Sequence, residues 1–316
     1  MSAPTSALLA EVVRSGFVEG HHRGSVVALA ADGSVVLSAG SPDLPVFPRS
    51  SNKPLQAVGM LEAGLDLDGE LLALACASHS GEPFHLDGVR RILAAARLDE
   101  SDLRTPPDYP VDEGTKIAYV AAGGSALPLA MNCSGKHAAM LATCVANGWP
   151  TAGYPDPDHP LQIALRATAE GLAGEKVSAV GVDGCGAPLF ALSLTGLARA
   201  FAAIATAPEA SAEHRVATAI RRHPDWLGGT GRDVTRLVAG VPGLIAKDGA
   251  EGVYAAALPD GRAVALKIED GAQRARPPVM VAALRALGLE SPVLAELAET
   301  PLLGGGAPVG SVRAVL

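Results

Sequence analysis

The sequence predicts a mixed α/β fold: a mixed sheet built from strands at both ends of the chain, covered by helices, with a helical region between. Three observations carry that reading. Gly24 to Ser38 alternates around Asp32-Gly33, three strand-like runs lie between 243 and 268, and helical periodicities fill the middle.

In chain order, the Val- and Ala-rich stretch Gly24 to Ser38 reads as a hairpin turning at Asp32-Gly33. After Pro48, Leu55, Val58, Leu61 and Leu65 recur at helical spacing, with Gly64 as a cap. Further helices are predicted at 69–78, 84–97, 136–147, 159–173 and 211–222. Val177 to Val182 is a short strand running into the turn Asp183-Gly184-Cys185-Gly186. Gly243 to Ala246, Gly252 to Leu258 and Ala263 to Ile268 read as three strands, the last two joined by Pro259-Asp260-Gly261, and a helix at 274–288 follows. With no repeat or linker in view, the expectation is one domain over 1–316, with a helical subregion at approximately 54–175.

A net charge of −8 and the lack of like-charge runs argue against nucleic acid or an anionic membrane as partner, leaving a small molecule. No apolar run has the length of a membrane span and no signal-peptide pattern is present, so the expected location is the cytoplasm. Cys76, Cys133, Cys144 and Cys185 lack the spacing of a disulfide scaffold and read as thiols, with metal binding as the sharper option. Only six of the 25 basic residues are lysines. That directs attention to Lys53, Lys136 and Lys247, since a buried amine can lose its proton where a guanidinium cannot.

Each of these lysines stands in a motif. Ser50 and Lys53, in Arg49-Ser50-Ser51-Asn52-Lys53-Pro54, have the S-x-x-K spacing that brings an amine beside a hydroxyl across one helical turn; the plainer alternative is a capping serine beside a solvated lysine. Pro54 disfavours helical geometry at Lys53, so the pair straddles the helix start. Cys76-Ala77-Ser78-His79-Ser80 crowds two hydroxyls and an imidazole at a bend, where a capping role competes with a proton relay or second nucleophile. Lys247-Asp248-Gly249 presents a lysine at a strand edge beside glycine, or else an exposed turn lysine. Cys133, before a helix start, and Cys185, at a strand end, offer thiolates that an amine or imidazole could complete as a zinc site; buried unmetallated thiols are the alternative.

Read together, Arg49-Ser50 with Lys53-Pro54, Cys76-Ala77-Ser78-His79, Asn132-Cys133-Ser134-Gly135-Lys136-His137, Asp183-Gly184-Cys185-Gly186, Lys247-Asp248-Gly249-Ala250-Glu251-Gly252 and Ala265-Leu266-Lys267-Ile268-Glu269-Asp270-Gly271 resemble the rhizobial-type L-asparaginase (asparaginase II) family. The resemblance spans nearly the whole chain. It implies a fold like that of serine β-lactamases and glutaminases, hydrolysis of L-asparagine to aspartate and ammonia, and a homodimer. It further implies two serine–lysine pairs, Ser50 with Lys53 and Ser78 with a lysine of the C-terminal strands, for which Lys247 is favoured and Lys267 is second choice. A zinc ion would fall on Cys133, Lys136 and Cys185, and Arg49, His137 and Asp183 are candidates for holding the substrate's α-amino and α-carboxylate groups. The rival expectations are a glutaminase or β-lactamase-like amide hydrolase, and a zinc-stabilised binding protein for a small amino acid.

Overall fold

Ser15 and Gly16 set the start of the sheet. In the computed structural model, which describes residues 5–316, both take positive φ, 49° and 81°, the turn pattern whose twist matches that of paired antiparallel strands. They join β1 (Ala7–Arg14) to β2 (Phe17–Leu29), which is followed by β3 (Val35–Ala39) and the two-residue β4 (Pro45–Val46). Three short strands lie in the second half, β5 (Val180–Val182), β6 (Pro188–Phe190) and β7 (Leu192–Ser193). The C-terminal part supplies β8 (Ile245–Gly249), β9 (Val253–Ala257), β10 (Ala263–Ile268), β11 (Glu299–Gly304) and β12 (Ala307–Ala314).

The main sheet runs β11-β12-β1-β2-β10-β9-β8, with β3 also paired to β2. It is drawn from both ends of the chain and covered by helices, as the sequence predicts. Its strands are antiparallel at every pairing among the described residues, which corrects the expected mixture of directions. The cause lies in the connections: neighbouring strands are joined mostly by tight turns, and parallel neighbours would need long crossovers. Gly24 marks the point where β2 passes from β1 to β10, paired with both Ala7 and Ile268. A Cβ there would collide with the Lys267 carbonyl oxygen, so the close approach requires glycine.

Between 53 and 173 the chain forms α1 (Lys53–Glu62), α2 (Gly69–Ala75), α3 (Pro83–Ala95), α4 (Glu113–Ala121), α5 (Ser134–Asn147) and α6 (Pro160–Ala173). After β7 come α7 (Leu194–Thr206), α8 (Ala212–Arg222), α9 (Pro224–Leu227) and α10 (Asp233–Gly240), and after β10 come α11 (Arg276–Ala286) and α12 (Pro292–Leu297). Helices α7 and α11 both pack on β9 and β10. Strands β8 and β9 are buried at every position, the mark of strands covered on both faces. No helix among the described residues is long and apolar enough to cross a membrane.

Three differences from the predicted elements matter for the site. The helix expected over 69–78 ends at Ala75, because Ser78 N, His79 N and Ser80 N bond instead to the carbonyls of Leu227, Asn132 and Gly228. The strand expected to end at Ala246 continues to Gly249, so Lys247 and Asp248 lie within β8 rather than in a loop after it. The strand expected from Val177 begins only at Val180.

Candidate active site

Arg49 to Asn52 make a single 3-10 turn and α1 begins at Lys53, which takes helical angles although Pro54 follows it, so the expected departure from helical geometry there is corrected. Arg49 holds positive φ, 52°, an uncommon setting for a side chain with a Cβ and a local backbone strain. The turn is tied by Ser51 Oγ to Pro48 O at 2.6 Å, and β8 lies tight against it, since a Cβ on Gly249 would come within 2.7 Å of Pro48 O. Ser50 is thereby fixed at the junction of helix and sheet.

Lys53 is 1% exposed. Its ammonium donates to Ala77 O, to Ser78 Oγ at 3.0 Å and to Cys133 Sγ at 3.0 Å. The three N–H donors of an ammonium are thus matched to three partners, and Ser50 is not among them. The expected pairs are therefore re-partnered: the serine joined to Lys53 is Ser78, from the bend after α2, while Ser50 stands one helical turn before Lys53 without a hydrogen bond to it. Ser80, the other hydroxyl of that bend, donates to Gly228 O at 3.0 Å and ties the bend to the loop after α9.

Lys247 is fully buried in β8 and donates to Asp248 O at 2.8 Å and to Asp248 Oδ1; no hydrogen bond joins it to Ser78. Burial, helped by the charges of Lys53 and Arg232 and opposed by Asp248, brings its pKa down to about 8. Asp248 also accepts from Arg232 Nη2 at 2.7 Å and Arg276 Nη1 at 3.3 Å. Burial works against its charge, yet Lys247, Arg232 and Arg276 hold the carboxyl well below the usual carboxylate range. Lys267, the second choice, is half-buried; its ammonium turns to Ile268 O and Glu269 O and lies among Glu251, Asp270, Glu269 and Arg49. Of the two, Lys247 is the one placed near Lys53.

A pocket of about 640 Å³ opens onto Ser50 and Ser78. Asn132, Asp248, Arg232 and Arg276 line it, with Asp112 and Glu113 from the start of α4. Arg232 and Arg276 went unmarked in the sequence. The loop Gly228-Gly229-Thr230-Gly231 just before Arg232 was the available signal, since glycines before a charged residue allow a backbone to pass close to a site; nothing local in the sequence singles out Arg276.

Behind Lys53 lies a second cluster. Cys133 caps the start of α5, and its sulfur, that of Cys185 and the Asp183 carboxylate lie within 4.8 Å of one another. Lys136 donates to Cys185 Sγ at 3.2 Å. His137 Nδ1 bonds to the Tyr154 hydroxyl at 2.6 Å, leaving its buried Nε2 without a partner among the described residues. The neighbouring Cys133 thiol draws the Cys185 thiol well below its ordinary range against the effect of burial, and Lys136 and His137 add to the pull. Cys185 and burial push Cys133 up. Two sulfurs, the Asp183 carboxylate and the Lys136 amine form a donor set that fits zinc.

Of the three residues expected to hold the substrate, His137 and Asp183 face this cluster, and Arg49 donates to Asp183 Oδ1 at 2.8 Å. The pocket is lined by other residues.

A family model described as L-asparaginase II matches residues 10–314. No curated protein matches the chain. Among solved structures, Mglu in its native form is similar with a TM-score of 0.44 and 15% identity, over 83% of this chain and 63% of that one; the chain thus spans less than two thirds of Mglu. A β-lactamase from Mycobacterium bovis gives a TM-score of 0.47 and 14% identity over 84% of this chain and 95% of that one. A β-lactamase-family structure from Bacteroides dorei gives 0.45 and 15% over 84% and 94%.

Proposed function

Since the chain belongs to the L-asparaginase II family, we propose that it hydrolyses the side-chain amide of L-asparagine to L-aspartate and ammonia by acyl transfer through a serine hydroxyl. The observation that carries the mechanism is the 3.0 Å contact between Lys53 Nζ and Ser78 Oγ at the wall of the pocket. A nucleophile and its base must be within hydrogen-bond reach. With the amine neutral, its lone pair accepts the Ser78 proton while its two N–H groups bond to Ala77 O and Cys133 Sγ. Ser78 Oγ then attacks the amide carbon, the proton passes to the departing nitrogen as ammonia, and water cleaves the β-aspartyl ester. Ser50, on the same pocket, is the alternative nucleophile, and Lys247 with Asp248 forms the charged floor that keeps a second lysine beside the first.

The reading is tested by measuring ammonia and aspartate release from asparagine, with glutamine and a chromogenic lactam in parallel. Asparagine turnover well above the other two supports it. Faster turnover of glutamine or the lactam reassigns the substrate, and ligand binding without product reduces the protein to a binding module.

The proposal includes zinc held by Cys133, Cys185 and Lys136, where it would supply a fixed positive charge behind Lys53. Lys136 must lose its proton to bind a metal. Burial favours that loss, but Cys185 and Cys133 outweigh it and hold the amine protonated in the metal-free cluster, so occupancy should rise with pH. Added zinc at a hundred times its Kd is expected to raise stability by about 2.7 kcal/mol, read as an upward shift in melting temperature that a chelator reverses. A melting curve indifferent to both reagents removes zinc from the proposal.

A further inference from the structure

Both signs of charge meet on the pocket. Arg232 lines it beside Ser78, and its side chain is 24% exposed. It donates through Nη1 to Ser78 O at 3.1 Å and through Nη2 to Asp248 Oδ2 at 2.7 Å. A guanidinium carries five N–H donors in one plane, so these two bonds leave donors for a ligand. Arg276 is differently placed. It is 4% exposed and committed to Asp248 and to Gly249 O at 2.9 Å, so it braces the floor.

Asp112 and Glu113 bring negative charge to the same pocket. One oxygen of Asp112, Oδ1, caps α4 by accepting from Thr115 N at 2.8 Å, and Asp112 stands near enough to Arg232 for each to favour the other's charged form. A planar donor and a carboxylate oxygen on the wall of one pocket with Ser78 match the two charged groups of an α-amino acid.

Resting on the asparagine reading above, we propose that Arg232 binds the α-carboxylate of the substrate and Asp112 its α-ammonium, and that these two residues set the requirement for a free α-amino acid. Two truncated amides separate the roles: succinamate lacks the α-ammonium and β-alaninamide lacks the α-carboxylate. Arg232→Gln is expected to lose about 100-fold in kcat/KM on asparagine and succinamate, chiefly through KM, and only a few-fold on β-alaninamide. Asp112→Asn, which retains the capping oxygen, is expected to lose about tenfold on asparagine and β-alaninamide and to spare succinamate.

A structural role for Arg232, acting through Ser78 O or Asp248, would lower all three amides alike, and that result overturns the proposal. Calorimetric titration with L-aspartate reads the same contact without turnover: Arg232→Gln is expected to weaken binding about 100-fold. Equal affinity in both proteins, or no binding to either, also overturns it. Arg232-dependent aspartate binding with no ammonia from any amide instead overturns the asparaginase reading and leaves this one standing.

Discussion

Replacing Lys53 with methionine is expected to lower kcat for ammonia release from asparagine by about 10³-fold or more, in the upper range for loss of a positioned general base. Methionine is close to the lysine stem in volume, so the buried space is filled, but no donor reaches Ala77 O. That unpaired carbonyl costs about 1–3 kcal/mol. Removing a buried amine from among other cations offsets part of that cost. The fold should therefore survive, which a melting curve run beside the assay will show.

The serines divide the mechanism further. With Ser78 as nucleophile, Ser78→Ala falls with Lys53→Met to the same floor, and the double variant is no slower than either, because residues acting as one unit do not add. Ser50→Ala should then keep measurable turnover. A Ser78→Ala protein retaining more than a tenth of the parent rate sinks that assignment and moves the nucleophile to Ser50. Mass spectrometry of the intact protein mixed with a slow amide substrate offers a direct check, because the acyl group must sit on the peptide carrying the nucleophile.

The sequence made the parts of this site visible but not their pairing. Spacing within one helical turn suggested Ser50 for Lys53, because local periodicity is all that a short motif contains. The actual partner comes from 25 residues further on, brought in because the end of α2 is pulled out of helix by the backbones of Leu227, Asn132 and Gly228. Such long-range bonds leave no periodic trace. The hairpin at Asp32-Gly33 was legible for the opposite reason: Gly33 takes positive φ and Asp32 Oδ1 accepts from Ser34 N at 2.9 Å, all within the turn. Strands β11 and β12 were missed because Pro301, Pro308 and a run of glycines hide their alternation; Pro301 lies in the edge strand β11 and Pro308 at a register shift, both places that tolerate proline. Helix α7 was missed although most of it is buried; its many alanines blur the contrast between faces that a periodic reading needs.

Acid should unfold this protein well before its ordinary carboxylates titrate. His79 and His85 are both 0% exposed and stacked, with ring centroids 5.1 Å apart. His79 Nε2 meets Ser134 Oγ at 2.9 Å and His85 Nε2 meets Asp225 O at 3.0 Å, while each Nδ1 is buried without a partner among the described residues. Burial lowers both pKa values. His79 falls well below its usual range, with His85, Lys53 and Arg232 adding to the effect, and His85 falls to about 4, with Arg232 outweighed by Asp225 O and Glu82 on the other side. In the unfolded chain each imidazole takes up its proton near pH 6.5. Below that pH the unfolded state binds more protons than the folded one, so stability falls as pH falls, by about 1.4 kcal/mol per pH unit for each histidine down to its folded value. Asp248 acts in a separate window: its depressed pKa adds stability that is lost only on descending below the ordinary carboxylate range. Urea unfolding between pH 7.5 and 5 therefore isolates the imidazoles. The midpoint is expected to drop steadily below pH 6.5, and His85→Gln, whose amide can still donate to Asp225 O, should make the slope shallower without abolishing it, since burial also holds His79 and His137 below their ordinary values. A midpoint constant across that range, or a slope untouched by His85→Gln, would show that the paired rings are not the acid-sensitive element of the fold.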